Sequence, residues 1–111
     1  MHVGDLDGST VAVNRGRWNA TVTITVYDDL EAPLADATVT GSWSSGAKGS
    51  ASCTTNSSGQ CSVTKNNVKQ NSASVTFTLT DIAHAVQTYN ASLNHDSEAD
   101  SDGTTIVVLQ P

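Results

Sequence analysis

Residues Trp18–Asp28 read WNATVTITVYD, and this stretch decides the fold. Its even positions, Trp18, Ala20, Val22, Ile24 and Val26, are apolar, whereas Thr21, Thr23, Thr25 and Tyr27 between them are polar or amphipathic. A period of two sends successive side chains to opposite faces of an extended chain. The stretch therefore predicts a long strand with one face in a core and the other in water.

The same alternation recurs outward from it. Ala37, Val39, Gly41 and Trp43 alternate with Thr38, Thr40 and Ser42, and Ala73, Val75, Phe77 and Leu79 alternate with Ser74, Thr76, Thr78 and Thr80. Cys61 and Val63 lie on one side of a shorter strand, and the continuously apolar Ile106–Leu109 predicts the last one. Before Trp18, the first strand is supplied by Met1–Leu6 (MHVGDL), by Thr10–Val13 (TVAV), or by both with a kink at Gly8. Turns separate these runs: Asp28–Asp36 with Pro33, Ser44–Gly49 with two glycines, Asn56–Gly59 (NSSG), and the polar connection Lys65–Ser72. Apolar residues nowhere recur at helical spacing over three turns; Asp81–Tyr89 comes nearest but is short and uncapped. Strands at roughly 8–15-residue intervals with turns between them predict an all-β, immunoglobulin-like, two-sheet antiparallel sandwich of about seven strands. The 111 residues fit a single domain, 1–111, with enough chain for a two-layer core.

Cys53 and Cys61 are the only cysteines, and the turn-like TTNSSGQ between them lets the two thiols face each other. A cysteine metal site needs more ligands at closer spacing, so the pair predicts a disulfide and an oxidising compartment. Eight positions are few for a crossing between sheets, and the expectation is a staple on a local hairpin around NSSG. Neither a signal peptide nor a long apolar run is present, which predicts an extracellular domain excised from a longer secreted protein, with no membrane insertion.

The net charge of −6 is unevenly spread: all five Lys and Arg residues precede residue 70, and five of the eleven acids follow it. An acidic surface repels phosphate backbones and excludes nucleic acid as a partner, while it favours cations or basic partners.

The segment from Val22 to Val63 carries a further pattern: a strand ending in Asp28, a loop with Pro33, an Ala37-x-Val39 strand, and a turn running from Thr55 to Gly59. This pattern resembles the bacterial immunoglobulin-like modules of the invasin/intimin type. The opening MHVGDLDGS, the cysteine pair and the NHD…DGTTI segment also look like a C-terminal accessory module of secreted bacterial proteins such as subtilisin-like peptidases. The resemblance implies a sandwich fold and a spacer or accessory role. The loop DDLEAP is more acidic than the resembled pattern, which departs from it there.

The residues with most potential chemistry lie in Asn94–Thr104 (NHDSEADSDGT), where Asp96, Glu98, Asp100 and Asp102 alternate and Gly103 follows. Alternating carboxylates before a glycine turn suit a calcium loop, although the register of an EF-hand is not met. In a sandwich of this kind the chain start, the second-to-third-strand loop and the last loop share one end, which gathers this loop with Asp28, Asp29 and Glu31. Asp5 and Asp7 are expected to join only if the first strand begins after Gly8. His2, His84 and His95 show neither HExxH nor HxH spacing and read as scattered surface histidines. No nucleophile-elbow motif is present, and no catalytic residue is assigned. Trp43, in phase with Ala37 and Val39, predicts a buried ring; Trp18 at a strand start predicts partial exposure, and with Tyr27 and Tyr89 it is the thin basis for sugar binding.

These readings favour a non-catalytic extracellular accessory, spacer or adhesive module, whose partners are neighbouring domains or an extracellular protein or glycan. The alternatives are a calcium- or carbohydrate-binding targeting module and a self-assembling extracellular subunit.

Overall fold

A computed structural model describes residues 1–96 and 101–111. Among the described residues seven strands form in order: β1 (His2–Val13), β2 (Arg17–Tyr27), β3 (Thr38–Ser44), β4 (Gly49–Thr54), β5 (Gln60–Lys69), β6 (Ser74–Ala83) and β7 (Thr105–Leu109). They build two antiparallel sheets, β1-β2-β5 and β4-β3-β6-β7, packed as a sandwich. The fourth strand lies beside the third, rather than beside the fifth as in a constant-type immunoglobulin domain. Among the described residues no helix is long and apolar enough to cross a membrane.

The alternation in β2 delivers the core. Trp18, Ala20, Val22, Ile24 and Val26 are all buried, and they face Val39, Trp43, Val75, Phe77, Ile106 and Val108 of the other sheet. Phe77 packs on Trp43 with ring centroids 5.1 Å apart. Its ring also lies on Gly41, where an added Cβ would come within 2.3 Å of it, so this inward position has room only for hydrogen.

Three departures from strict alternation arise from bulges, each of which inserts a residue and reverses the facing of the residues beyond it. The first strand is neither of the alternatives alone but one continuous β1, and its irregularity falls between Val3 and Asp5, at Gly4 instead of Gly8. Tyr27 covers Gly4 so closely that a Cβ there would lie 2.1 Å from the ring. In β5 the register shifts opposite Trp18 and Ala20, Asn67 takes a φ of 58°, and its N–H donates to Asn19 Oδ1 at 3.0 Å. That shift turns Val68 inward and extends the strand to Lys69, through residues that read as a polar connection. In β6 the register shifts between Leu79 and Asp81, so Ile82 is buried although it breaks the odd-numbered pattern. The apolar run in β7 splits between faces: Ile106 and Val108 are buried, while Val107 and Leu109 are exposed.

Cys53 and Cys61 form a disulfide, with Cα atoms 5.8 Å apart. It is not a staple within a hairpin. Cys53 pairs with Val39 in one sheet and Cys61 with Ile24 in the other, so the bond joins the edge strands β4 and β5 across the side of the sandwich. The crossing is short because Thr55 organises it. Its Oγ1 accepts from Ala37 N–H at 3.0 Å and donates to Leu34 C=O at 2.7 Å, while its backbone pairs with Asp36 and Ala37. Asn56 Oδ1 then caps the turn, accepting from the N–H groups of Ser58 and Gln60.

Strand pairing segregates charge along the molecule. Arg15, Arg17, Lys48, Lys65 and Lys69 lie in the half holding the β1–β2 and β3–β4 turns. Every described acid lies in the other half, on the start of β1, the β2–β3 loop, the end of β6 or the β6–β7 loop.

Candidate functional site

The acidic pole is assembled from three segments. The β2–β3 loop closes on Asp28, whose Oδ1 accepts from Leu30 N–H at 2.8 Å and Ala32 N–H at 3.0 Å. These two backbone donors, Ala32 first, hold the Asp28 carboxyl below its ordinary value. Glu31 N–H donates to Asp28 C=O at 3.1 Å, and Glu31 sits in the left-handed region at φ 61°. The turn thus presents the Glu31 side chain at a fixed place on the pole.

The β6–β7 loop lies along the outer edge of β1. Val3 N–H donates to Asn94 Oδ1 at 2.8 Å, His95 N–H donates to Val3 C=O at 3.0 Å, and Leu6 N–H donates to Asp96 Oδ2 at 3.2 Å. Backbone groups that an edge strand would leave unpaired are covered in this way. Asn94 Nδ2 also donates to Tyr89 Oη at 2.6 Å and Thr104 Oγ1 at 3.1 Å, which ties the two ends of the loop. Gly103, at φ 83°, packs against the His95 backbone, where a Cβ would come within 2.6 Å of the nitrogen.

Two groups of side chains result. In the first, ligand atoms of His2, Glu31 and His95 all lie within 4.8 Å of one another. His2 Nε2 is 2.6 Å from Glu31 Oε1, and His95 Nε2 is 3.7 Å from Glu31 Oε2. The His2 side chain is only 2% exposed, against 56% for Glu31 and 45% for His95. Among the described residues neither ring nitrogen of His2 has a hydrogen-bond partner, and its short approach to Glu31 lacks hydrogen-bond alignment. His95 Nδ1 stands 3.2 Å from Leu93 C=O, and the rings of His2 and His95 are tilted with centroids 5.4 Å apart. Histidines scattered over the surface are therefore the wrong description. Only His84 stands apart from this group, its Nδ1 accepting from Val86 and Gln87 N–H groups.

In the second group Asp5 meets Asp7 and Asp96. Burial, then hydrogen bonding to Asp96 and Asp7 and their like charges, pushes the Asp5 carboxyl up to about 7. Its Oδ1 is buried and has no hydrogen-bond partner among the described residues. Asp5 joins the pole even though β1 begins at His2, because the β6–β7 loop folds back to it; the condition that the strand begin after Gly8 does not hold.

Of the four carboxylates expected in a calcium loop, Glu98 and Asp100 lie outside the described residues. Asp96 Oδ2 accepts from Leu6 N–H and from Ser101 Oγ, the latter at 2.7 Å. Asp102 Oδ1 accepts from Thr104 N–H at 2.8 Å and Thr105 N–H at 2.7 Å, and these donors, Thr105 first, hold its carboxyl below the ordinary value. That oxygen serves to cap the turn into β7.

Trp43 is buried as expected, but Trp18 is buried too, with Nε1 donating to Lys69 C=O at 3.3 Å. It is thereby withdrawn from any aromatic platform for sugars. The His2–Glu31–His95 group has no signature in sequence, since its members come from distant segments joined only by the fold. Comparison with protein-family models, with curated proteins and with solved structures finds no match to this chain.

Proposed function

We propose that the chain is a non-catalytic, immunoglobulin-like spacer module of a longer extracellular protein. One observation carries the reading: β1 starts at the acidic pole and β7 ends at the opposite, basic pole of a body 44 Å long. An odd number of antiparallel strands running along the body passes the chain from one pole to the other, as a spacer between neighbouring domains requires. Opposite charge at the two poles favours end-to-end placement of successive modules and disfavours like poles meeting. The disulfide across the β4–β5 side supports an oxidising, extracellular setting. The likeness of Asp28, Pro33, Ala37, Val39, Thr55 and Gly59 to invasin/intimin-type modules supports a bacterial surface or secreted protein.

Small-angle X-ray scattering of two copies joined in tandem by a short linker tests the reading. An elongated particle approaching twice the 44 Å axis is expected at low and high salt. A compact particle with the copies side by side, for instance through the exposed Val107 and Leu109 of β7, contradicts it.

A further inference from the structure

We propose that His2, Glu31 and His95 form a binding site for one divalent transition-metal ion of the zinc class. The three ligand atoms already lie within 4.8 Å of one another. A tetrahedral ion with bonds of about 2.0–2.1 Å holds its ligand atoms roughly 3.4 Å apart. His2 Nε2 lies 2.6 Å from Glu31 Oε1 and His95 Nε2 lies 3.7 Å from Oε2, separations that bracket that spacing. Glu31 is exposed, so its carboxylate has room to turn toward an ion.

The buried ring of His2 points to a ligand. A buried polar atom ordinarily has a partner, yet among the described residues both of its nitrogens lack a hydrogen bond while Nε2 faces the Glu31 carboxylate. A cation between them turns this unaligned contact into two coordination bonds. His95 is prepared for the same role: Nδ1–H donating to Leu93 C=O leaves the Nε2 lone pair toward Glu31. The backbone under each ligand is fixed independently. His2 pairs with Tyr27 in the sheet, Glu31 rides on the Asp28-closed turn, and His95 is held by its N–H to Val3.

Two imidazoles and one carboxylate select zinc, nickel, cobalt or copper over calcium, which takes oxygen ligands. The acid-rich pole attracts any cation, and the imidazoles choose among them. Three protein ligands leave a fourth position for water or for a donor from a neighbouring domain. An ion here ties the first strand to both flanking loops.

The test is calorimetric titration of chelator-treated protein with zinc chloride, with histidine side-chain NMR followed in the same series. One ion per chain is expected, raising the melting temperature, with His2 and His95 signals moving and His84 signals unmoved. His95→Ala and Glu31→Gln, both at exposed side chains and each checked for an unchanged circular dichroism spectrum, are expected to weaken zinc binding by more than about tenfold. His84→Gln leaves it unchanged, and calcium at equal concentration does not displace zinc. Absence of zinc binding, binding that survives both substitutions, or displacement by calcium overturns the proposal.

Discussion

The buried ring of His2 stands with Nε2 2.6 Å from Oε1 of Glu31, joining the start of β1 to the β2–β3 loop. The two partners are unequal, since one is enclosed by protein and the other faces solvent. In metal-free protein His2→Ala therefore costs about 2–4 kcal/mol as a cavity, whereas Glu31→Gln costs less than about 1 kcal/mol. Urea unfolding with chelator present measures both. Equal losses contradict this difference in burial.

The pole also predicts an unusual dependence of stability on pH. Asp5, ordinarily near 3.8, titrates near 7 in the folded protein, so folding favours its protonated form. Its contribution is fully present below 3.8 and is lost as pH rises through 7. Asp28 and Asp102 act oppositely: their folded values are lowered, so their contribution is present above 3.8 and lost as pH falls below it. Stability is thus greatest near pH 4, declines between about pH 4 and 7, and levels off above 7. Asp5→Asn keeps the shape without the charge, and thermal melts of this variant are expected to show the decline between about pH 4 and 7 flattened. A parallel decline in both proteins removes Asp5 as the cause.

Thr55 bonds two backbone groups at once, Ala37 N–H and Leu34 C=O. Thr55→Val is nearly isosteric but leaves both without this partner, at an expected cost of about 2–3 kcal/mol. Thr55→Ser retains the hydroxyl and is expected to cost under about 1 kcal/mol. Denaturant midpoints distinguish them, and equal midpoints for the two variants contradict a hydrogen-bonding role.

The disulfide joins two strands that each have only one neighbour in their sheet. Replacing both Cys53 and Cys61 by Ala is expected to cost about 2–3 kcal/mol while the sandwich remains folded. Amide exchange should accelerate most in β4 and in the first half of β5, and least in the central strands β2 and β6. Uniform acceleration indicates instead that the bond supports the whole fold.

The strand pattern is legible in the sequence because period-two burial is a local property, and Trp18 to Val26 display it without interruption. Where a bulge intervenes, as at Gly4, Asn67 and Thr80, the phase changes for reasons of register with a partner strand, which a single segment does not carry. The path of the disulfide is hidden for a related reason. Spacing of the cysteines measures chain length, whereas the short crossing between sheets is organised by the hydrogen bonds of Thr55 and Asn56. At the acidic pole, the alternating carboxylates of Asp96–Asp102 are conspicuous in sequence, whereas the histidines form no motif. Their grouping depends on a loop folding back along β1 through Asn94 and His95, a long-range arrangement with no counterpart in local spacing.

The convergence of His2, Glu31 and His95 at that pole is tested most directly by crystals grown with zinc and measured at the zinc absorption edge. A single strong anomalous peak is predicted about 2.0–2.2 Å from one nitrogen of His2, one nitrogen of His95 and a carboxylate oxygen of Glu31. A peak among the aspartates alone, or none, would contradict a metal site built on these three residues.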